Sequence, residues 1–172
     1  MPTLVLDPQP AEVTALIERR RRLGQDLFDE VWEGVLHMNP APAGGHAKLD
    51  QQVAELLGPL ARQAGLTSTG PCNLGISEDD YRLPDRGLLR DWTDQVWYAT
   101  AALVVEIVSP GDESYRKLDF YAPQGVDEVL IIDRDRREVH WLALAGKRYE
   151  PIERSRVIDL GPVELQQQLD WP

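Results

Sequence analysis

One cysteine, Cys72, stands in a chain of 172 residues, so no internal disulfide can form and a cysteine-rich zinc site is excluded. Nothing in the pattern pairs Cys72 with a histidine, and a small residue packed in a strand is its expected role. Long apolar runs are missing too: none approaches the roughly 20 residues that span a bilayer. The opening residues, Met-Pro-Thr-Leu-Val-Leu-Asp, lack the basic and long apolar parts of a signal peptide, which makes the cytoplasm the expected location. Repeats, low-complexity tracts and linkers are absent as well. Basic charge is scarce, with 18 Lys and Arg against 29 Asp and Glu and a formal net charge of -11. Phosphate contacts supply most nonspecific nucleic-acid affinity, so this balance counts against a broad nucleic-acid surface. A polyanion would have to be gripped locally. The candidates are Arg19-Arg20-Arg21-Arg22, then Arg134, Arg136 and Arg137, and lastly Lys147, Arg148, Arg154 and Arg156. The first run also closes a helix before Gly24, where cations suit the dipole.

A content of 42% hydrophobic and 27% charged residues is that of a folded globular protein, and the length fits one domain spanning 1–172. Apolar spacing predicts helices from Pro10 to Leu23 and from His46 to Ala64, the second blemished by Pro59. Phe28 to Met38 reads as a strand or hairpin around Glu33-Gly34, and residues 39–45 as a loop. Thr67 to Ile76 and Tyr81 to Leu89 read as extended pieces around an acidic turn, and Arg90 to Thr100 as a loop or short helix. Ala102 to Val108 reads as a central strand, Gly111 to Gln124 as a helix, and Val129 to Asp133 as a second buried strand parallel to the first. Strands at Glu138 to Leu144, Lys147 to Pro151 and Arg156 to Leu160 and a helix at Pro162 to Leu169 complete a mixed α/β domain.

Glu106 interrupts the apolar run of the central strand. A strand that apolar is normally buried on both faces, and a lone carboxylate there needs a proton, a cation or a metal. Pro84-Asp85 stands upstream, and Lys117 follows the turn at 109–111. Two carboxylates and an amine can thus converge where a sheet meets a helix. Metal-assisted phosphodiester hydrolysis asks for oxygen ligands, activated water and a cation near developing negative charge. Asp85 and Glu106 would be ligands, Ile107 would offer its backbone carbonyl, and Lys117 would orient water or stabilise charge. At 100° per residue Lys117 lies about 40° from Tyr121, on the border of the predicted buried stripe.

Tyr-Arg-Leu-Pro-Asp at 81–85, Leu-Val-Val-Glu-Ile-Val-Ser-Pro-Gly-Asp at 103–112, Lys-Leu-Asp-Phe-Tyr at 117–121 and Gly-Val-Asp-Glu-Val-Leu-Ile-Ile-Asp at 125–133 resemble a large bacterial family. It comprises restriction-endonuclease-like proteins of the PD-(D/E)xK nuclease superfamily. The similarity runs from about Phe28 to Leu144 and includes Trp-Glu-Gly-Val-Leu-His-Met-Asn-Pro-Ala-Pro at 32–42 and the following His46. It implies a mixed central sheet flanked by helices, Asp85 and Glu106 as the first and second acids, magnesium or manganese as cofactor, and His46 near the cleft. Where the superfamily has lysine two residues after the second acid, this chain has Val108, and Lys117 matches the family's lysine on the next helix. Val35 is a second departure, standing where relatives carry glutamate. Glu33, two residues earlier on the same face of a regular strand, would take that place.

Each residue also has a structural explanation. Glu106 and Lys117 can form a buried ion pair without catalysis, Asp85 can serve a turn after Pro84, Lys117 can be an exposed helix lysine, and Glu33 beside Gly34 can be turn chemistry. His46 can face solvent, and Asp133 can cap a turn. The expected function is a metal-dependent nuclease acting on DNA, with a homodimer suited to cutting both strands. Its rivals are a catalytically inactive interaction module of the same fold and a metal-dependent hydrolase of small phosphate esters.

Overall fold

Residues 10–109 and 113–172 are described by the structure, a computed structural model. The chain runs through α1 (Ala11–Arg22), the hairpin β1 (Glu30–Trp32) and β2 (Val35–His37), α2 (Gly44–Gln63), β3 (Thr67–Thr69) and β4 (Asn73–Ser77). It continues through β5 (Asp80–Arg82), β6 (Arg86–Leu89), β7 (Trp97–Tyr98) and β8 (Leu103–Val108). After a 3-10 turn at Ser114–Lys117 come α3 (Leu118–Tyr121), β9 (Glu128–Asp133), β10 (Glu138–Ala145), β11 (Arg148–Pro151) and α4 (Pro162–Gln168). The expected mixed α/β architecture is present, with a central mixed sheet in the order β11-β10-β9-β8-β6-β3. In it β8 and β9 pair in parallel, Glu106 opposite Ile131, while β6 and β8 are antiparallel.

A second sheet, β2-β1-β5-β4-β7, lies beyond what the sequence pattern predicts. Two prolines explain it. Pro71 and Pro84 have no N–H to give to a ladder, and each sits in the short link where a predicted extended piece divides. Thr67 to Ile76 splits into β3 and β4, and Tyr81 to Leu89 splits into β5 and β6, one member of each pair in each sheet. The link Leu83-Pro84-Asp85 therefore crosses the seam between the sheets.

Period-two alternation sorts the β8 side chains between two cores. Leu103, Val105 and Ile107 pack with Leu49, Val53, Leu57 and Ala61 of α2, with Trp141 and with the C-terminal Leu165 and Leu169. Val104 faces the other way, toward Leu74, Tyr98, Phe120, Tyr121 and Ile131. Each fully buried aliphatic side chain contributes roughly 1.5–3 kcal/mol, so this two-sided burial anchors β8 firmly in the fold. Glu106 shares the parity of Val104 and points into the second core.

Several boundaries differ from the sequence expectation. α2 passes through Pro59 unbroken. The helix expected at Gly111 to Gln124 shrinks to the 3-10 turn plus the four residues of α3, and Gly111 itself lies outside the described residues. Arg156 to Leu160 forms no strand, because local bonds fold it back: Ser155 N–H donates to the Leu160 carbonyl, and the Glu128 carboxylate accepts from Arg156 N–H. α1 buries none of its residues fully and is tied down through Arg20, which pairs with Asp29 at 2.6 Å.

Candidate active site

Glu106 is only 2% exposed, and each of its carboxylate oxygens accepts one hydrogen bond. Lys117 Nζ donates to Oε2 at 3.0 Å and the Tyr121 hydroxyl to Oε1 at 2.5 Å. Lys117, 9% exposed, reaches a second buried acid as well, with Nζ 2.8 Å from Glu30 Oε1. Glu30 in turn accepts from Leu83 N–H at 2.9 Å and from Trp32 Nε1 at 2.6 Å. One ammonium therefore serves two buried carboxylates contributed by different sheets, and the ion pair weighed above as the structural explanation of Glu106 is present.

The charge balance follows from that count. Burial pushes the Glu106 carboxyl up from 4.5 to about 8, with the charges of Asp85 and Glu30 adding to the rise and Lys117 and Tyr121 opposing it. Burial pulls Lys117 down, but Glu106 and Glu30 outweigh it and hold the ammonium above the ordinary lysine range. The pair of acids thus favours the ammonium form of Lys117, and one amine facing two buried acids leaves the site short of positive charge.

Asp85 lies at the same end of β8. The β6–β8 ladder runs only as far as the pair Arg86 and Val105. Beyond it Asp85 Oδ2 accepts from Ile107 N–H at 2.7 Å in place of a backbone partner. Within an extended strand a residue's N–H and C=O face the same edge, so the Ile107 carbonyl is directed to the side from which Asp85 approaches. Asp85 Oδ1 meets His46 Nε2 at 2.8 Å, from the first turn of α2. Burial lowers His46, yet the hydrogen bond and charge of Asp85, with Asp50, raise it above its usual value overall.

Asp85, Glu106, Ile107, Lys117 and His46 are thus brought together, and Glu33 is not. Glu33 and Gly34 form the two-residue turn of the β1–β2 hairpin, at φ 50 and 81, a type I′ arrangement that favours residues tolerant of positive φ. Glu33 is exposed, and its N–H donates to Asp80 Oδ1. The turn breaks the strand regularity on which its assignment rested. Glu30, which shares a strand face with Trp32, stands in the cluster instead. Its signal in the sequence was an acid at period two from a buried tryptophan. Tyr121 is a polar member of the cluster through its hydroxyl, although periodicity alone places it on an apolar stripe.

The surroundings fix this geometry. Arg82, 5% exposed, is held between rings, its guanidinium carbon 4.4 Å from the Trp32 centroid and 4.1 Å from that of Phe120. His37 stacks on Trp32 with ring centroids 4.2 Å apart. Asp133 does cap its turn, accepting from Asp135 N–H and Arg136 N–H. Among the described residues no three His, Cys, Asp or Glu side chains converge as a ready-made ion cage. None of the described helices is long and apolar enough to cross a membrane.

Comparison with known proteins bears on this arrangement. The family Uma2, described as putative restriction endonuclease, matches residues 17–170. The crystal structure of a putative nuclease belonging to DUF820 from Anabaena variabilis ATCC 29413 is similar to this one with a TM-score of 0.63 at 16% identity, over 81% of this chain and 90% of that one. At that identity the likeness is one of fold. No curated protein matches the sequence.

Proposed function

The chain belongs to the Uma2 family of putative restriction endonucleases, and on that premise we propose that Asp85, Glu106 and Lys117 form a PD-(D/E)xK-type site that hydrolyses phosphodiester bonds of DNA. The observation that carries the reading is the charge deficit of a buried cluster in which one lysine meets two acids with a third acid nearby. A divalent cation fits that deficit, and the donors are of the right kind, hard carboxylate and carbonyl oxygens. Asp85, Glu106 and the Ile107 carbonyl would hold it. Magnesium or manganese there supplies a Lewis acid for a phosphoryl oxygen and lowers the pKa of water.

The chain's own residues have separable roles. Lys117 is held protonated by Glu30 and Glu106, so it acts as a fixed cation that orients water and offsets charge in the transition state, not as a proton acceptor. Glu30 keeps that ammonium in place. His46 positions Asp85 through its hydrogen bond. A homodimer in the cytoplasm would suit cleavage of both strands of a duplex.

Calorimetric titration of manganese into the wild type, Asp85→Ala and Glu106→Ala tests the reading, followed by cleavage of plasmid DNA with Lys117→Ala as control. Binding lost in both acid variants, and cleavage lost in the lysine variant, is the expected result. A folded wild type that takes up no manganese, with or without oligonucleotide present, refutes it and leaves the cluster a structural ion pair in an interaction module.

A further inference from the structure

Of the three basic clusters singled out in the sequence, one lines a cleft among the described residues. Arg19 to Arg22 end the exposed α1, with Arg20 engaged by Asp29, and Arg154 is bridged to Asp159 and Glu164. Arg134 and Arg137, by contrast, border an open cleft of about 400 Å³ together with Gly45, Asp135 and Pro172. The β9–β10 turn presents them. Asp133 holds that turn by accepting from two backbone N–H groups and also engages the Arg136 guanidinium at 3.0 Å, which leaves Arg134 and Arg137 to flank the cleft.

Three features make this an oxyanion site. The Arg134 side chain is 20% exposed, and its Nε donates to Asp135 Oδ1 at 3.3 Å while its Nη1 lies close to Gly45. Arg137 is exposed and lines the same cleft. The cleft also adjoins the acidic site: a Cβ on Gly45 would lie 3.5 Å from Arg134 Nη1, and the next residue, His46, contacts Asp85. A side chain at Gly45 would press on the Pro172 ring at 3.3 Å and lie beside Arg134. In a protein whose net charge is -11, a cleft lined by two arginines and one aspartate keeps a local positive excess that attracts a polyanion.

We propose that Arg134 and Arg137 grip a backbone phosphate of duplex DNA next to the phosphodiester addressed by Asp85 and Glu106. The assignment rests on the nuclease reading of the neighbouring site. Such a grip sets the register of the duplex over the acids without reading its sequence. Gly45 and the β9–β10 turn shape the cleft, and Asp135 at its rim limits how far the duplex can shift.

Binding of a fluorescently labelled duplex is measured in chelator between 50 and 200 mM salt for the wild type, for Arg134→Gln/Arg137→Gln, and for Arg19→Gln/Arg22→Gln as a control of equal charge change, salt and binding both following the phosphate-contact range. The cleft variant is expected to bind about tenfold more weakly or worse, and its salt slope to fall by about one for each arginine that touches phosphate. The control keeps the wild-type slope. An unchanged slope in the cleft variant, or an equal loss in the control, overturns the assignment while leaving the nuclease reading intact. Should the wild type bind no duplex either in chelator or with calcium present, the nuclease reading fails, and titration with inorganic phosphate, followed at the Gly45 amide by NMR, decides the cleft alone. Shifts present in the wild type and lost in the cleft variant support an oxyanion site, and no shifts overturn it.

Discussion

Replacing Glu106 by glutamine keeps the shape of the buried side chain and removes its titration. Burial raises the wild-type carboxyl from 4.5 to about 8. A proton is therefore held more tightly in the folded than in the unfolded chain. The stability linked to it is complete below about pH 4.5 and is lost as pH rises toward 8, because the unfolded chain binds fewer protons across that window. At about 1.36 kcal/mol per pKa unit, a rise of this size corresponds to at most about 5 kcal/mol, and relaxation around the ionised group reduces the measurable loss to about 2–4 kcal/mol. His46, also raised, loses stability in the same direction as pH climbs, so the comparison has to be made against Glu106→Gln and not against a flat baseline. Urea unfolding in the presence of chelator, followed by tryptophan fluorescence from pH 5 to 8.5, should show the wild type falling more steeply than the variant. Parallel pH profiles for the two proteins would refute the charge-deficit argument.

The same proton competes with a cation. Manganese affinity should rise from pH 6 to 8 with release of about one proton per ion, seen as a buffer-dependent heat; pH-independent binding contradicts the assignment of Glu106. Glu33→Gln should alter unfolding free energy by less than about 0.5 kcal/mol, whereas Glu30→Gln should cost about 3 kcal/mol because Lys117 loses a buried partner. Equal effects of the two would undo the placement of Glu30 in the cluster. Arg82→Lys retains charge but not the planar stack between Trp32 and Phe120, and should lower stability by about 2 kcal/mol in chemical denaturation. A neutral outcome there would mean that the rings need no guanidinium between them.

The parts legible in the sequence were those set by short-range pattern. Glu106 announced itself as the one acid in a strand apolar on both faces, and β8, β9 and α2 followed from periodicity. Asp85 and Lys117 stand out as polar residues flanking that strand and again in the motif resemblance; Lys117 lies 3.0 Å from Glu106, and the charge of Asp85 acts on it. What stayed hidden depends on contacts between distant segments. The seam between two sheets arises because Pro71 and Pro84 force strand breaks, and nothing local tells which sheet each half will join. Glu30 was invisible for the same reason: its partners Leu83 and Lys117 stand 53 and 87 positions away. Glu33 was misassigned because a parity argument assumes an unbroken strand, and Gly34 at φ 81 turns the chain there.

Lys117 and Glu106 are joined by ten intervening residues, yet their head groups sit 3.0 Å apart. Had the lysine stood at position 108, backbone pleating would have tied it to its acid at a fixed offset. Carried on a separate 3-10 turn, it is constrained in space and free in spacing. Insertions or deletions between the two are then compatible with an intact pair, provided the turn still docks on Tyr121 and Glu30. Searches that key on a set interval from acid to lysine will pass over such chains, whereas a search for an amine facing a lone strand carboxylate will find them.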